Sequence, residues 1–250
     1  MRELRQFSGF TLLELLIGVF LSTVLTTAIL QLITASTSAY RLQLNQSQLL
    51  ESSHFAREVL TSHISQAGFQ TDPWNGLPKL AAVTNDSIDN FSSNGDQLGL
   101  QRWSRKNCYG NDNAVLDGDN QPSFWLMQVV FKVTAANNLA LTCRYGADET
   151  QLTTQINNYG LVEDIESMQV LFAEDNDGDR IPDSWVRAGQ WQAEEQLRAV
   201  QVAFLLASKQ PFAESTNQQY SLLDETIQIA GDGKLRKTSS VTAPIRGRLP

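Results

Sequence analysis

Few residues of this 250-residue chain could do chemistry, and they fall in three places. The densest is the run Asp175-Asn176-Asp177-Gly178-Asp179-Arg180-Ile181-Pro182-Asp183. Oxygen donors at alternate positions of a tight loop are what Ca²⁺ requires, so Asp175, Asp177, Asp179 and Asp183, with the carbonyl of Ile181, form a candidate Ca²⁺ site. An acidic turn whose side chains cap backbone amides is the alternative. The second place is Cys108 and Cys143, the only cysteines in the chain. The third is Glu14, a lone carboxylate at the edge of a run from Leu15 to Tyr40 without a charged side chain. An acid in hydrocarbon costs on the order of 2.5–3.5 kcal/mol, so Glu14 calls for a charged or polar partner. His54 and His63 lie nine residues apart and share no helix face at metal-ligand spacing, so they are expected to be surface or packing residues. No Ser, Cys or acid constellation surrounds them, and an enzyme is not expected.

These groups need elements to hold them. The apolar run is long enough for a membrane-spanning helix of roughly 20 residues. A secretory signal peptide would end at a small-x-small cleavage site, whereas this run continues past Ala35 into Tyr40 with no such pattern. A plain signal anchor, with Arg2 and Arg5 on the cytoplasmic side, explains the length but not Gly9-Phe10 or Glu14. Beyond Arg41 the apolar residues Leu49, Ala56, Val59, Leu60, Ile64 and Ala67 recur at three- and four-residue steps, an amphipathic face made to pack on a soluble domain. No Pro or Gly interrupts Val19 to Ala67, and Gly68 supplies a helix end. One helix over residues 10–67 would be about 85 Å long at 1.5 Å per residue.

Past Gly68 the texture changes to strands and turns. Leu98–Trp103, Trp125–Val133, Leu139–Tyr145, Ser167–Ala173 and Leu197–Leu206 are strand candidates, the second and third joined as a hairpin through residues 134–138. The predicted fold class is α+β, a long N-terminal helix packed on an antiparallel sheet. The net charge of −8 excludes the basic face that nucleic acid needs. With residues 69–250 beyond the membrane, in an oxidising compartment, Cys108 and Cys143 suit a single disulfide, two buried free thiols being the alternative.

Gly9-Phe10-Thr11-Leu12-Leu13-Glu14-Leu15-Leu16 resembles the type IV prepilin cleavage and methylation motif. The resemblance implies a leader of residues 1–9, cleavage between Gly9 and Phe10 by a prepilin peptidase, and N-methylation of Phe10. Glu14 would then offset the amine of Phe10 in a neighbouring subunit during assembly. Residues 10–40 become the transmembrane and filament-core half of the helix, 41–68 its amphipathic half, and 69–250 a globular domain. The Asp loop is similar to the calcium repeats of thrombospondin type 3 and dockerin domains. It departs from an EF-hand at Arg180, in place of the turn glycine, and at Val186, in place of the bidentate glutamate.

The segment Leu161–Val170, the Asp loop, Trp191, the Leu197–Leu206 strand and a tail with Arg236-Lys237 and Ile245-Arg246-Gly247-Arg248 come in the order seen in PilW-type minor pilins. That resemblance implies a structural subunit that primes type IV pilus assembly and sits at the fibre tip. Its partners would be other minor pilins, the major pilin, the prepilin peptidase and a PilY-type tip adhesin, with no small-molecule substrate. Its place would be the inner membrane, the C-terminal domain in the periplasm, before assembly and the cell surface after it. The alternative is a minor pseudopilin of a type II secretion system, similar to the GspJ group.

Overall fold

A computed structural model describes residues 11–70, 80–92, 94–212 and 216–246. The chain divides into two units, Met1–Asn45 and Gln46–Pro250. A single helix, α1 (Leu12–Gln66), supplies the described part of the first unit and begins the second. Its N-terminus is capped reciprocally. Thr11 N–H donates to Glu14 Oε2 at 3.0 Å, and Glu14 N–H donates to Thr11 Oγ1 at 3.3 Å, the arrangement of a capping box. Its C-terminus stops where Gly68 takes φ 70°, and Gly68 N–H donates to Gln101 O at 2.8 Å. The expected end at Gly68 is therefore observed.

Eleven strands follow among the described residues: β1 (Ile88–Ser92), β2 (Gly95–Ser104), β3 (Trp125–Val133), β4 (Leu139–Gly146), β5 (Thr153–Val162), β6 (Ile165–Glu174), β7 (Ser184–Val186), β8 (Leu197–Pro211), β9 (Gln218–Leu222), β10 (Glu225–Ile229) and β11 (Lys234–Pro244). The main sheet runs β11-β8-β6-β2-β3-β4-β5, with β1 on β2 and β7 on β6. A separate hairpin, β9-β10, lays Tyr220, Leu222 and Ile227 against Ala203 and Leu205 of β8. All five expected strands are present, β3 with the expected bounds and the other four somewhat longer. The pairing is antiparallel except between β2 and β6, which meet in parallel register at Gly95 and Met168.

That junction joins two otherwise antiparallel halves, and two residues make it, one by lacking a side chain and one by the bonds its side chain accepts. Gly95 has φ 101°, and a Cβ there would lie 2.0 Å from the Met168 carbonyl oxygen, so only glycine allows the approach. Asp96 is buried; its Oδ1 accepts Asn90 N–H and its Oδ2 accepts Val170 N–H, both at 2.8 Å. Beyond Met168 the strands part, and the connection 80–87 fills the space. Thr84 N–H donates to Gly99 O, and Gln101 N–H donates to Ala82 O.

The core lies between the sheet and the C-terminal half of α1. Leu49, Ala56, Leu60, Ile64 and Ala67 are buried there with Leu98, Leu100, Val129, Phe131, Phe172 and Phe204. These helix positions are the ones their three- and four-residue spacing selects. Each large side chain so buried contributes about 1.5–3 kcal/mol. Ser53 donates to Ser239 Oγ of β11 at 2.7 Å, which satisfies a hydroxyl that burial would otherwise strand. His63 is a packing residue as expected. Its ring meets Phe131 edge-on at 5.3 Å, and Arg102 Nη1 lies 3.3 Å from its Nδ1.

Candidate functional site

In the first unit the side chains from Thr11 to Arg41 are exposed, and Asp, Glu, Lys and Arg are absent from Leu15 to Tyr40. The serine and threonine hydroxyls of this stretch turn back on the helix: Ser22 donates to Gly18 O, Thr26 to Ser22 O and Thr34 to Gln31 O. Satisfied internally, they add little to the cost of placing the helix in hydrocarbon. The helix is long and apolar enough to cross a membrane. Glu14 sits at its beginning, bonded to Thr11. Gly9 and Phe10, the expected cleavage and methylation positions, lie outside the described residues.

Cys108 and Cys143 form a disulfide with Cα atoms 5.9 Å apart. The bond pins the long β2–β3 connection onto β4. Cys108 N–H donates to Gln155 Oε1 of β5, and Tyr109 Oη donates to Gln155 O, so the same turn is also bonded to the edge strand.

The Asp loop joins β6 to β7. Asp175, Asp177 and Asp183 each turn one carboxylate oxygen into a common group, with those atoms all within 4.8 Å of one another. Three oxygens at that spacing suit one Ca²⁺ with ligands at 2.3–2.6 Å. Asp179 is not in the group; its Oδ1 accepts Ile181 N–H at 2.7 Å. Ile181 holds its side chain in solvent. The loop is closed by its own amides as well. Asp175 accepts Gly178 N–H at 2.7 Å and Arg180 N–H at 3.0 Å, and Asp183 accepts Asn176 N–H at 2.7 Å.

Arg198 is the residue that local reading missed. Its guanidinium, on β8, holds Asp175 Oδ2 at 2.7 Å, although the two stand 23 positions apart. Burial pushes the Asp175 carboxyl up, but Arg198 and the amides of Gly178 and Arg180 outweigh it and hold the group below the usual carboxylate range. Two further arginines knit the same half of the sheet. Arg187 reaches Asp89, Asp224 and Glu225, and the nearly buried Arg236 forks between Glu166 and Asp232.

A long helix with an uncharged apolar start, a C-terminal half laid on an antiparallel sheet, and a disulfide-pinned loop describe a membrane-anchored protein of the type IV pilin class. The solved structure of a type IV-like pilin from Thermus thermophilus is similar in fold, with a TM-score of 0.51 and 16% identity over 80% of this chain and 96% of that chain. The prokaryotic N-terminal methylation motif matches residues 4–30, and the family model for type IV pilus-assembly protein W matches residues 130–247. No curated protein matches the sequence. Together the two family matches and the fold support a PilW-type minor pilin, a structural protein associated with the type IV pilus. Pilins of this kind associate with other pilus components, and the PilW match favours the pilus over the secretion pseudopilus.

Proposed function

We propose that this minor pilin is held in the inner membrane by the start of α1, with its sheet domain in the periplasm, and is then drawn into a low-abundance complex that primes pilus assembly. The observation that carries the reading is one helix joining an uncharged apolar stretch to the stripe that packs on the sheet. Its partners are other minor pilins, the major pilin, the prepilin peptidase acting between Gly9 and Phe10, and a PilY-type adhesin at the tip. The role is structural and not catalytic. Glu14, bonded to Thr11 in the isolated chain, exchanges part of that bonding for the methylated amine of Phe10 in a neighbouring subunit. Pairing offsets some of the cost of both charges. The test is Glu14→Gln: cleavage and insertion continue, and copurification with tagged minor pilins is lost. Unchanged copurification would remove the pairing role.

Ca²⁺ binding at Asp175, Asp177 and Asp183 is a second part of this proposal, supported by the convergence of their oxygens. Bound there, the ion would supply no chemistry beyond charge neutralisation, and its effect would be to stabilise the β6–β7 loop in the form that its own amides and Arg198 already close.

A further inference from the structure

Two amides at the start of α1 are taken by side chains, and both are ones that a longer helix would need. Glu14 N–H donates to Thr11 Oγ1 at 3.3 Å, and Thr11 N–H donates to Glu14 Oε2 at 3.0 Å. In a helix continued toward the leader, each N–H would turn to the C=O four residues before it, so Glu14 would bond to Phe10 and Thr11 to Phe7. The Thr11 hydroxyl also donates to Glu14 Oε2 at 3.1 Å, which fixes the carboxylate across the first turn. Thr11 O accepts Leu15 N–H at 3.2 Å, so the backbone ladder opens at Thr11 and α1 begins at Leu12. The capping box therefore sets the helix start immediately past the expected cleavage position, Gly9-Phe10.

We propose that this box keeps the Gly9-Phe10 bond out of the helix, where the prepilin peptidase can reach it, and that Thr11 is a positioning residue for leader removal. The inference rests on the cleavage reading proposed above. Hydrolysis needs the Gly9 carbonyl free: water adds to its carbon, the C–N bond to Phe10 breaks, and the proton that water releases goes to the departing amine. A helix through this point would turn the Gly9 C=O to Leu13 N–H instead. Hydrocarbon sharpens the effect, because amides freed by loss of the cap find backbone carbonyls and little water. The box also separates two roles of Glu14. Capping needs only an acceptor that reaches Thr11 N–H, which Gln supplies as Glu does. Pairing with the amine of a neighbouring subunit needs the charge.

The test uses the full chain in detergent micelles and has two readouts. One is the rate at which purified prepilin peptidase releases residues 1–9, followed by mass spectrometry. The other, with no peptidase present, is the ¹³Cα shift of Phe10, which reports whether the helix has grown back to the cut. Thr11→Val loses the hydroxyl, and kcat/KM for its cleavage should fall about fivefold, the effect of one lost cap. Thr11→Ser should restore the parent rate. Glu14→Leu should be slowed as Thr11→Val is, while Glu14→Gln, which keeps the box, should be cut at the parent rate. The Phe10 shift should move toward helical values in Thr11→Val and Glu14→Leu alone. A parent rate in Thr11→Val, no rescue by Thr11→Ser, a slowed Glu14→Gln or an unmoved Phe10 shift would each overturn the inference while leaving the cleavage reading intact. A parent chain that the peptidase leaves uncut would overturn the cleavage reading, and this inference with it.

Discussion

The Asp175 carboxylate of the β6–β7 loop and the Arg198 guanidinium of β8 form an ion pair at 2.7 Å, with the Asp175 side chain fully enclosed. The pair gives the acidic loop a fixed counter-charge, so the four aspartates do not depend on a cation to close. Only the exposed carboxylates, Asp177 and Asp183, remain to feel one strongly. Calcium should therefore raise the melting temperature of the chain by a few degrees at millimolar concentration, through mass action on a loop already formed. Asp177→Ala should abolish that rise while leaving the chelator-treated protein as stable as before. Arg198→Met should lower the melting temperature without calcium more than Asp177→Ala does. Equal melting curves with calcium and with chelator, and no heat of binding by calorimetry, would leave an acidic turn closed by Arg198.

Asp96 and His63 give the sheet domain two opposing pH responses. Burial pushes the Asp96 carboxyl from 3.8 up to about 6 against the pull of the Asn90 and Val170 amides, with Asp89 and Glu225 adding to the rise. Burial, reinforced by Arg102, pushes His63 from 6.5 down to about 4. Above the unfolded value of 3.8, native Asp96 keeps a proton that the unfolded chain has lost, so its contribution to stability falls as pH rises to about 6. Native His63 lacks a proton that the unfolded chain carries, so its contribution rises with pH from about 4 to 6.5. The two largely cancel in the whole chain. Denaturant unfolding across this window should show stability climbing more steeply with pH in Asp96→Asn than in the parent, and less steeply or falling in His63→Leu. Identical slopes in all three proteins would contradict the assignment.

The disulfide closes a span of 35 residues, worth roughly 3–4 kcal/mol in the chain-entropy account. Cys108→Ser and Cys143→Ser should each lose about that much, and the double variant little more, because either change removes the same crosslink. Additive losses in denaturant titrations would show two independent roles.

How far the sequence could be read follows from where each signal lies. The stripe Leu49, Ala56, Leu60, Ile64 and Ala67 was legible because one helix face meets one core, and its spacing survives any tertiary detail. Strands β2, β3, β4, β6 and β8 carry alternating or continuous apolar residues, and they too were legible. Strand β5 was not: it is an edge strand, exposed along most of Thr153–Gly160, so no burial pattern marks it. Strand β11 looked like a tail, since Arg236 is buried against Glu166 and Asp232 and only its end, Val241, Ala243 and Ile245, shows the two-residue period. The aspartate loop was visible as a cluster, but that Asp179 stands apart and Arg198 closes it depends on β8 lying beside β6. The lone parallel contact at Gly95 and Met168 has no sequence signal beyond the glycine itself.

Entry of this chain into a type IV pilus assembly, as proposed, requires removal of its leader at Gly9-Phe10. A bulky side chain at the cut should stop the peptidase without touching the sheet. The most direct measurement is the number of surface pili, counted by electron microscopy, in cells whose only copy carries Gly9→Val. Mass spectrometry should find residues 1–9 still attached and the Cys108–Cys143 bond formed, while pili fall to a small fraction of the parent count. Normal pilus numbers with the leader retained would contradict it.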